Sequence, residues 1–172
     1  MYNSFELIEL LKNENYNITV HQHDALFTVQ DSKKLRGKII GAHSKNLFLK
    51  NKKNSFFLVT CEEADRIDLK KISKSLELGN VSFAKEEYLD RYLKIKPGSV
   101  SPFGLLNDES EQVNFYLEKT LYESKFVNFH PLINTLTITI ETRKFIKFMI
   151  ENNKKIHIFS SEEGKILKIY GK

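Results

Sequence analysis

At 172 residues the chain is about one domain long, enough for a single core without covalent staples. Its one cysteine excludes an internal disulfide, and no run approaches the roughly eighteen apolar residues of a membrane span. Residues 1–6 lack the charged start and apolar core of a signal peptide, so a cytoplasmic protein is expected. A net charge of +5 and a pI near 9.1 suit a polyanionic partner. The cations are mostly lysine beside abundant asparagine and isoleucine, however, a pattern that A/T-rich coding produces unaided, so charge permits a nucleic acid without establishing one.

Ser4 can cap a first helix whose apolar residues Phe5, Leu7, Ile8, Leu10 and Leu11 recur at helical spacing. Residues 16–20 alternate like a short strand, and residues 28–35 have the polarity of a surface helix closed by Gly37. Residues 39–50, a polar tip at 51–54 and an apolar run through Val59 predict a β-hairpin, with Lys45 and Asn46 near the entry of its first strand. Cys61 reads as a half-buried thiol at the end of the second strand. Asp68 can cap a helix carrying Leu69, Ile72 and Leu76 and ended by Gly79, and Ser82 can cap another whose face is Phe83, Tyr88, Leu89, Tyr92 and Leu93.

The most unusual stretch follows. Of three prolines and seven glycines in the chain, Pro97, Gly98, Pro102 and Gly104 fall within eight residues, which specifies a rigid, non-repetitive backbone. Beyond it, Val113, Phe115 and Leu117 alternate with polar neighbours as a strand, and two β-rich runs at 126–129 and 135–140 flank His130-Pro131. Thr142 can cap a helix using Phe145, Phe148 and Met149, and the tail offers strands at 156–159 and 166–170 about a Glu163-Gly164 turn. With no repeats and no linker, residues 1–172 read as one mixed α/β domain.

The familiar phosphate-loop, dinucleotide, nucleophile-elbow and zinc signatures are missing, which argues against a common cofactor or zinc enzyme. The five histidines do not form a ligand set by spacing, so neither a metal nor a cofactor is expected. What remains is a polar constellation of His43, Lys45, Asn46, the 98–102 loop, His130 and Asn134. Backbone N–H groups in a glycine-containing loop can donate to a carbonyl or to the oxyanion it becomes, and a lysine can hold an anionic group. Such a set suits hydrolysis of an activated ester by water.

His43-Ser44-Lys45-Asn46-Leu47-Phe48-Leu49, Asp68-Leu69-Lys70, Ser82-Phe83-Ala84, the run from Pro97 to Asp108, and Phe129-His130-Pro131-Leu132-Ile133-Asn134 resemble, in order and spacing, the free-standing prolyl-tRNA editing deacylases of the YbaK-type family. The resemblance covers roughly residues 20–150 and is closest to the branch that clears alanyl-tRNA(Pro). Ser44 and Ser101 stand where threonine is frequent, and Asp24 where the segment after His23 is usually apolar.

The resemblance implies a mixed, barrel-like β-sheet surrounded by α-helices, acting as an editing domain without metal or cofactor. It implies hydrolysis in trans of the ester in mischarged alanyl-tRNA(Pro), with Lys45, Asn46 and His130 as catalytic residues. Gly98, Ser99, Val100, Ser101, Pro102, Phe27, His43 and Asn134 would contact the substrate. The partners implied are the acceptor end of the tRNA and prolyl-tRNA synthetase, with no membrane, and the chain is expected to be a monomer. Lys50, Lys52 and Lys53 would meet tRNA phosphates. Deacylation of another small aminoacyl-tRNA, cysteinyl or seryl, and a non-catalytic module that binds tRNA or a synthetase, are the alternatives.

Overall fold

The computed structural model describes residues 1–25, 38–66 and 68–171. The helix expected over 28–35, its stop at Gly37 and the site residue Phe27 lie outside those residues. The first helix, α1 (Ser4–Asn13), is capped by Asn3, not by Ser4: the Asn3 side chain accepts from the Glu6 N–H while the Glu6 carboxylate accepts from the Asn3 N–H. That reciprocal pair satisfies two otherwise orphaned N–H donors, so the Asn3-x-x-Glu6 spacing outcompetes the serine one residue later. Leu7 and Leu11 are buried, whereas Phe5 is 72% exposed and lies off the packed face.

The first strand, β1 (Thr19–Gln22), begins later than its alternation suggested. Asn15 and Asn17 adopt positive φ, which no strand continues through, and Tyr16 turns inward onto Phe148 with ring centroids 5.1 Å apart. The hairpin forms as expected from β2 (Ala42–Asn51) and β3 (Phe56–Glu62). Asp68 caps α2 (Leu69–Ser75) through the N–H groups of Lys70 and Lys71. Ser82 is not a cap. It belongs to β4 (Val81–Phe83), which pairs with β2, and the following helix α3 (Glu86–Tyr88) starts at Lys85 without a side-chain cap and runs into a wide turn over Leu89–Leu93. A sheet ladder has here overridden a local capping preference, leaving Phe83 60% exposed.

After a 3₁₀ turn over Pro102–Asn107 come β5 (Val113–Glu118), α4 (Lys119–Glu123), β6 (Phe126–Phe129), β7 (Leu136–Glu141), α5 (Thr142–Glu151), β8 (Ile156–Ser160) and β9 (Lys165–Tyr170). Thr142 is the first residue of α5 and not its cap, because its hydroxyl donates across to the Ser124 carbonyl at 2.5 Å.

These strands form one mixed sheet ordered β1-β7-β6-β2-β3-β5-β8-β9, with β4 added beside β2. Pairs β2–β6, β3–β5 and β5–β8 are parallel and the others antiparallel. Helices cover both faces. On one, α1, α5 and the 3₁₀ turn bury Leu7, Leu11, Phe103, Phe145, Phe148 and Met149 against Leu58, Phe115, Val127, Phe129, Ile138 and Ile140. On the other, Ile72 and Leu76 of α2 and its exit pack on Leu47, Leu49, Phe57, Val59, Cys61 and Tyr116. Coverage on both sides is why Tyr116 and Leu117, neighbours on β5, are both buried.

One strand changes partner midway. β2 pairs with β6 at Ala42–Val127 and His43–Asn128, then with β4 from Leu49–Phe83 to Asn51–Val81. Between those ladders, Ser44 to Leu47 hold β3 on one edge and, among the described residues, have no strand on the other. The sheet opens there into a fork between β6 and β4.

Candidate active site

Lys45 and Asn46 both lie on the open edge of the fork, and strand alternation sends them to opposite faces. Lys45 is paired with Cys61, on the face covered by α2, and its Nζ donates to the Asp65 main-chain carbonyl. Asn46 is paired with Thr60, on the face covered by α5. Its Oδ1 accepts from the Thr60 hydroxyl at 2.7 Å, and its amide lies 3.4 Å from Ser44 Oγ. The asparagine side chain is thus tied to the sheet, and the lysine to the turn after β3.

The register then places His130. β2 and β6 run parallel, with His43 opposite Asn128, so the next side chains on that face are Lys45 on β2 and His130 just past the end of β6. His130 is fixed from behind, its Nδ1 standing 2.8 Å from the Leu136 carbonyl oxygen. A carbonyl only accepts, so Nδ1 carries the proton and Nε2 is left with the lone pair. Burial holds the imidazole below its usual pKa, the Leu136 contact opposing that in part, and His23 adds to the lowering while Glu63 offsets it.

Around His130 the same face carries a row of polar groups. His23, with its ring centroid 6.0 Å from that of His130, places Nδ1 2.8 Å from the Asp24 carbonyl, so its Nε2 accepts from Thr137 Oγ1 at 2.9 Å. His21 Nε2 meets Thr139 Oγ1 at 2.9 Å. His43 Nε2 is buried and has no hydrogen-bond partner among the described residues. None of His21, His23, Thr137, Thr139 and Asn128 was among the site residues expected from the sequence. The signal was present in β7, where Thr137 and Thr139 alternate with Ile138 and Ile140 and mark a polar face behind an apolar one.

The 98–102 loop reaches this site indirectly. Ser99 N–H donates to the Lys96 carbonyl at 3.1 Å across a turn with Pro97 second and Gly98 third at φ +85°, a combination that favours this order of residues. Ser99 and Ser101 are buried, Val100 packs on the core, and Ser101 Oγ accepts from Phe103 N–H at 3.3 Å as the 3₁₀ turn begins at Pro102. Phe103 meets Phe129, the residue before His130, edge to face. Asn134 is half-buried in the turn between β6 and β7.

Cys61 is buried outright, not half-buried, and burial pushes its thiol up to about 12, Lys45 opposing the shift. That removes it as a nucleophile. Among the described residues there is no cluster of histidine, cysteine and carboxylate groups suited to a metal ion. Nor is any helix there long and apolar enough to cross a membrane.

The register thus puts a lysine on β2 and, just past the end of β6, a neutral imidazole on one face of the sheet at the fork. Comparison with known proteins speaks at two levels. A solved structure described as a candidate trans-editing enzyme for prolyl tRNA synthetase superposes with a TM-score of 0.66 at 16% identity, covering 92% of this chain and 98% of the other. The hypothetical protein APE2540 gives 0.66 at 14% identity, covering 84% and 93%. At those identities the likeness is one of fold. A model of the aminoacyl-tRNA editing domain matches residues 23–148, and the chain belongs to that family. It is 33% identical over 147 residues to the prolyl-tRNA editing protein ProX of Acetoanaerobium sticklandii, covering 85% of this chain and 90% of that protein. It is also 33% identical over 149 residues to prolyl-tRNA synthetase associated domain-containing protein 1 of Danio rerio, covering 85% and 80%.

Proposed function

We propose that the protein is an aminoacyl-tRNA deacylase acting in trans on tRNA mischarged by prolyl-tRNA synthetase, and that its substrate is alanyl-tRNA(Pro). The observation that carries this reading is that Lys45 and His130 each follow the His43–Asn128 pair by two residues and so fall on one face of the sheet, within a chain of the editing family. Alanine is smaller than proline, so a synthetase pocket that admits proline does not exclude it sterically, and missing methylenes discriminate by only about 1–3 kcal/mol each. A second, smaller sieve removes the error.

In the proposed reaction the ester joining alanine to the terminal ribose enters the fork. Lys45 leaves the Asp65 carbonyl and holds the phosphate and ester by charge. Water attacks the ester carbonyl, and the developing oxyanion is met by that cation and by main-chain N–H groups. His130, neutral at pH 7 with Nε2 unprotonated, accepts a hydrogen bond from the attacking water or from the neighbouring ribose hydroxyl. Asn46 supports the edge through Thr60 and Ser44. The 98–102 loop packs on the α5 side of the sheet through Val100 and the adjoining Phe103, and it supports the size filter from there, through Phe129 at the end of β6, so that a methyl is admitted and a pyrrolidine ring rejected. Prolyl-tRNA synthetase is the partner that supplies the substrate.

Purified protein incubated with a panel of alanyl-, seryl-, cysteinyl- and prolyl-tRNA, beside Lys45→Ala, tests the reading. Preferential loss of the alanyl ester, abolished in the variant, is the expected result. Preference for cysteinyl- or seryl-tRNA would reassign the substrate, and no hydrolysis of any ester would leave a binding module.

A further inference from the structure

At the vertex of the fork sits Asn128, 3% exposed, with every polar group of its side chain engaged. Nδ2 donates to the carbonyls of Ile40 at 2.8 Å and Ala42 at 3.2 Å, on the β2 side of the vertex. Oδ1 accepts from Thr139 Oγ1 at 2.6 Å, on β7. The Asn128 main-chain carbonyl accepts from Ser44 Oγ at 2.9 Å, one residue before Lys45. The Thr139 hydroxyl has one proton and gives it to Asn128, so His21 Nε2 is the donor to Thr139 and the whole chain has one direction.

An apolar residue would fill this buried position without needing three side-chain partners. What the amide adds is direction, since it bonds β2 on one side and β7 on the other, just where β2 and β6 begin to part. Gly41 fits the same vertex: its φ is +90°, and a Cβ there would stand 2.6 Å from the Phe126 carbonyl oxygen, so β2 enters this close to β6 only with glycine. Lys45 and His130 each lie two residues beyond the His43–Asn128 pair. Resting on the deacylase reading, we infer that Asn128 is a positioning residue that sets the separation of Lys45 and His130 across the fork. It touches neither the ester nor the water and acts through the strands it ties together.

Three neutral variants test this: Asn128→Ala, Thr139→Val, which removes the hydroxyl while keeping the shape, and Thr139→Ser, which restores it. The first readout is the NMR titration of the His130 imidazole, which needs no substrate. His130 is faced by His23 beside β1, by Glu63 after β3 and by the Leu136 carbonyl, and none of these is altered. In Asn128→Ala its midpoint is expected to rise toward that of an exposed histidine as the fork loosens, less so in Thr139→Val, and to return in Thr139→Ser. The second readout is alanyl-tRNA(Pro) deacylation, where kcat should fall about 100-fold in Asn128→Ala with KM changed less than about threefold, as misplacement of roughly 1 Å predicts.

An unchanged midpoint in the folded variants, or a loss of activity that merely tracks the folded fraction, overturns the inference. So does a rise in KM at constant kcat. Should Asn128→Ala fail to fold, the Thr139 pair decides by the same readouts. If the wild-type protein hydrolyses no aminoacyl-tRNA, the deacylase reading fails and the titration alone decides the role of Asn128.

Discussion

Phe103 and Phe129 meet edge to face, with ring centroids 5.9 Å apart and planes at 87°. One ring follows Pro102 directly and the other precedes His130 directly, so the proline-glycine loop and the histidine segment are joined through the core. Phe103→Leu should therefore do two things. Losing the ring contact should lower stability by about 1–2 kcal/mol, measured by urea denaturation. It should also lower deacylation by more than the unfolded fraction explains, and activity that merely follows folding would break the link between loop and histidine.

Replacing Lys45 removes the charge without opening a cavity in the main core, since among the described residues its ammonium donates to a turn carbonyl. Lys45→Ala and Lys45→Met should each lower kcat/KM by about 100-fold or more while the melting temperature stays near that of the wild type. A variant keeping more than about a tenth of the activity would remove the lysine from the mechanism.

Acid should weaken both activity and fold. Burial lowers the pKa of His130, of His157 and of His21 below the ordinary imidazole value. In the unfolded chain these groups protonate near pH 6.5, and in the folded one only at lower pH, so between those points the unfolded state binds more protons. Stability consequently falls as pH drops through about 6.5 and levels off below the folded-state values. Melting curves from pH 7.5 to 5 should show this, and His157→Gln should flatten the slope without altering kcat. The deacylation rate should rise with pH through a midpoint below 6.5 and then stay level; a midpoint above 7 would contradict a buried, neutral His130.

Cys61 gives a chemical test of burial. With its thiol pushed up to about 12, almost no thiolate exists at pH 7.5, so a thiol reagent should label the folded protein slowly and the urea-unfolded protein at an ordinary rate. Rapid labelling of native protein would mean that the face of β3 beneath Lys45 opens readily.

Gly41→Ala should cost about 2–4 kcal/mol, because positive φ and contact with a main-chain oxygen both oppose the added methyl. Val100→Ala, by contrast, should leave stability within about 1–2 kcal/mol of wild type and raise prolyl relative to alanyl hydrolysis. An unchanged ratio there would relocate the size filter.

The sequence made legible whatever is local or periodic. The hairpin, the Asp68 cap and the β7–α5 succession follow from alternation, helical spacing and capping chemistry. Ser82 and Tyr16 went the other way for non-local reasons: a ladder to β2 claims one, and a ring contact with Phe148 turns the other inward. Motif order brought out Lys45, Asn46 and His130, but adjacency in sequence concealed that Lys45 and Asn46 point to opposite faces. What Asn128 does was hidden because it depends on Ile40, Ser44 and Thr139, which no spacing rule connects.

The change of neighbour along β2 has one more consequence. Among the described residues, the main-chain groups of Ser44 to Leu47 that face this edge are paired by neither β6 nor β4. On the deacylase reading they are the groups that an incoming acyl ester would meet. Occupancy should therefore add main-chain hydrogen bonds along this edge of β2 and leave its ladder with β3 as it is.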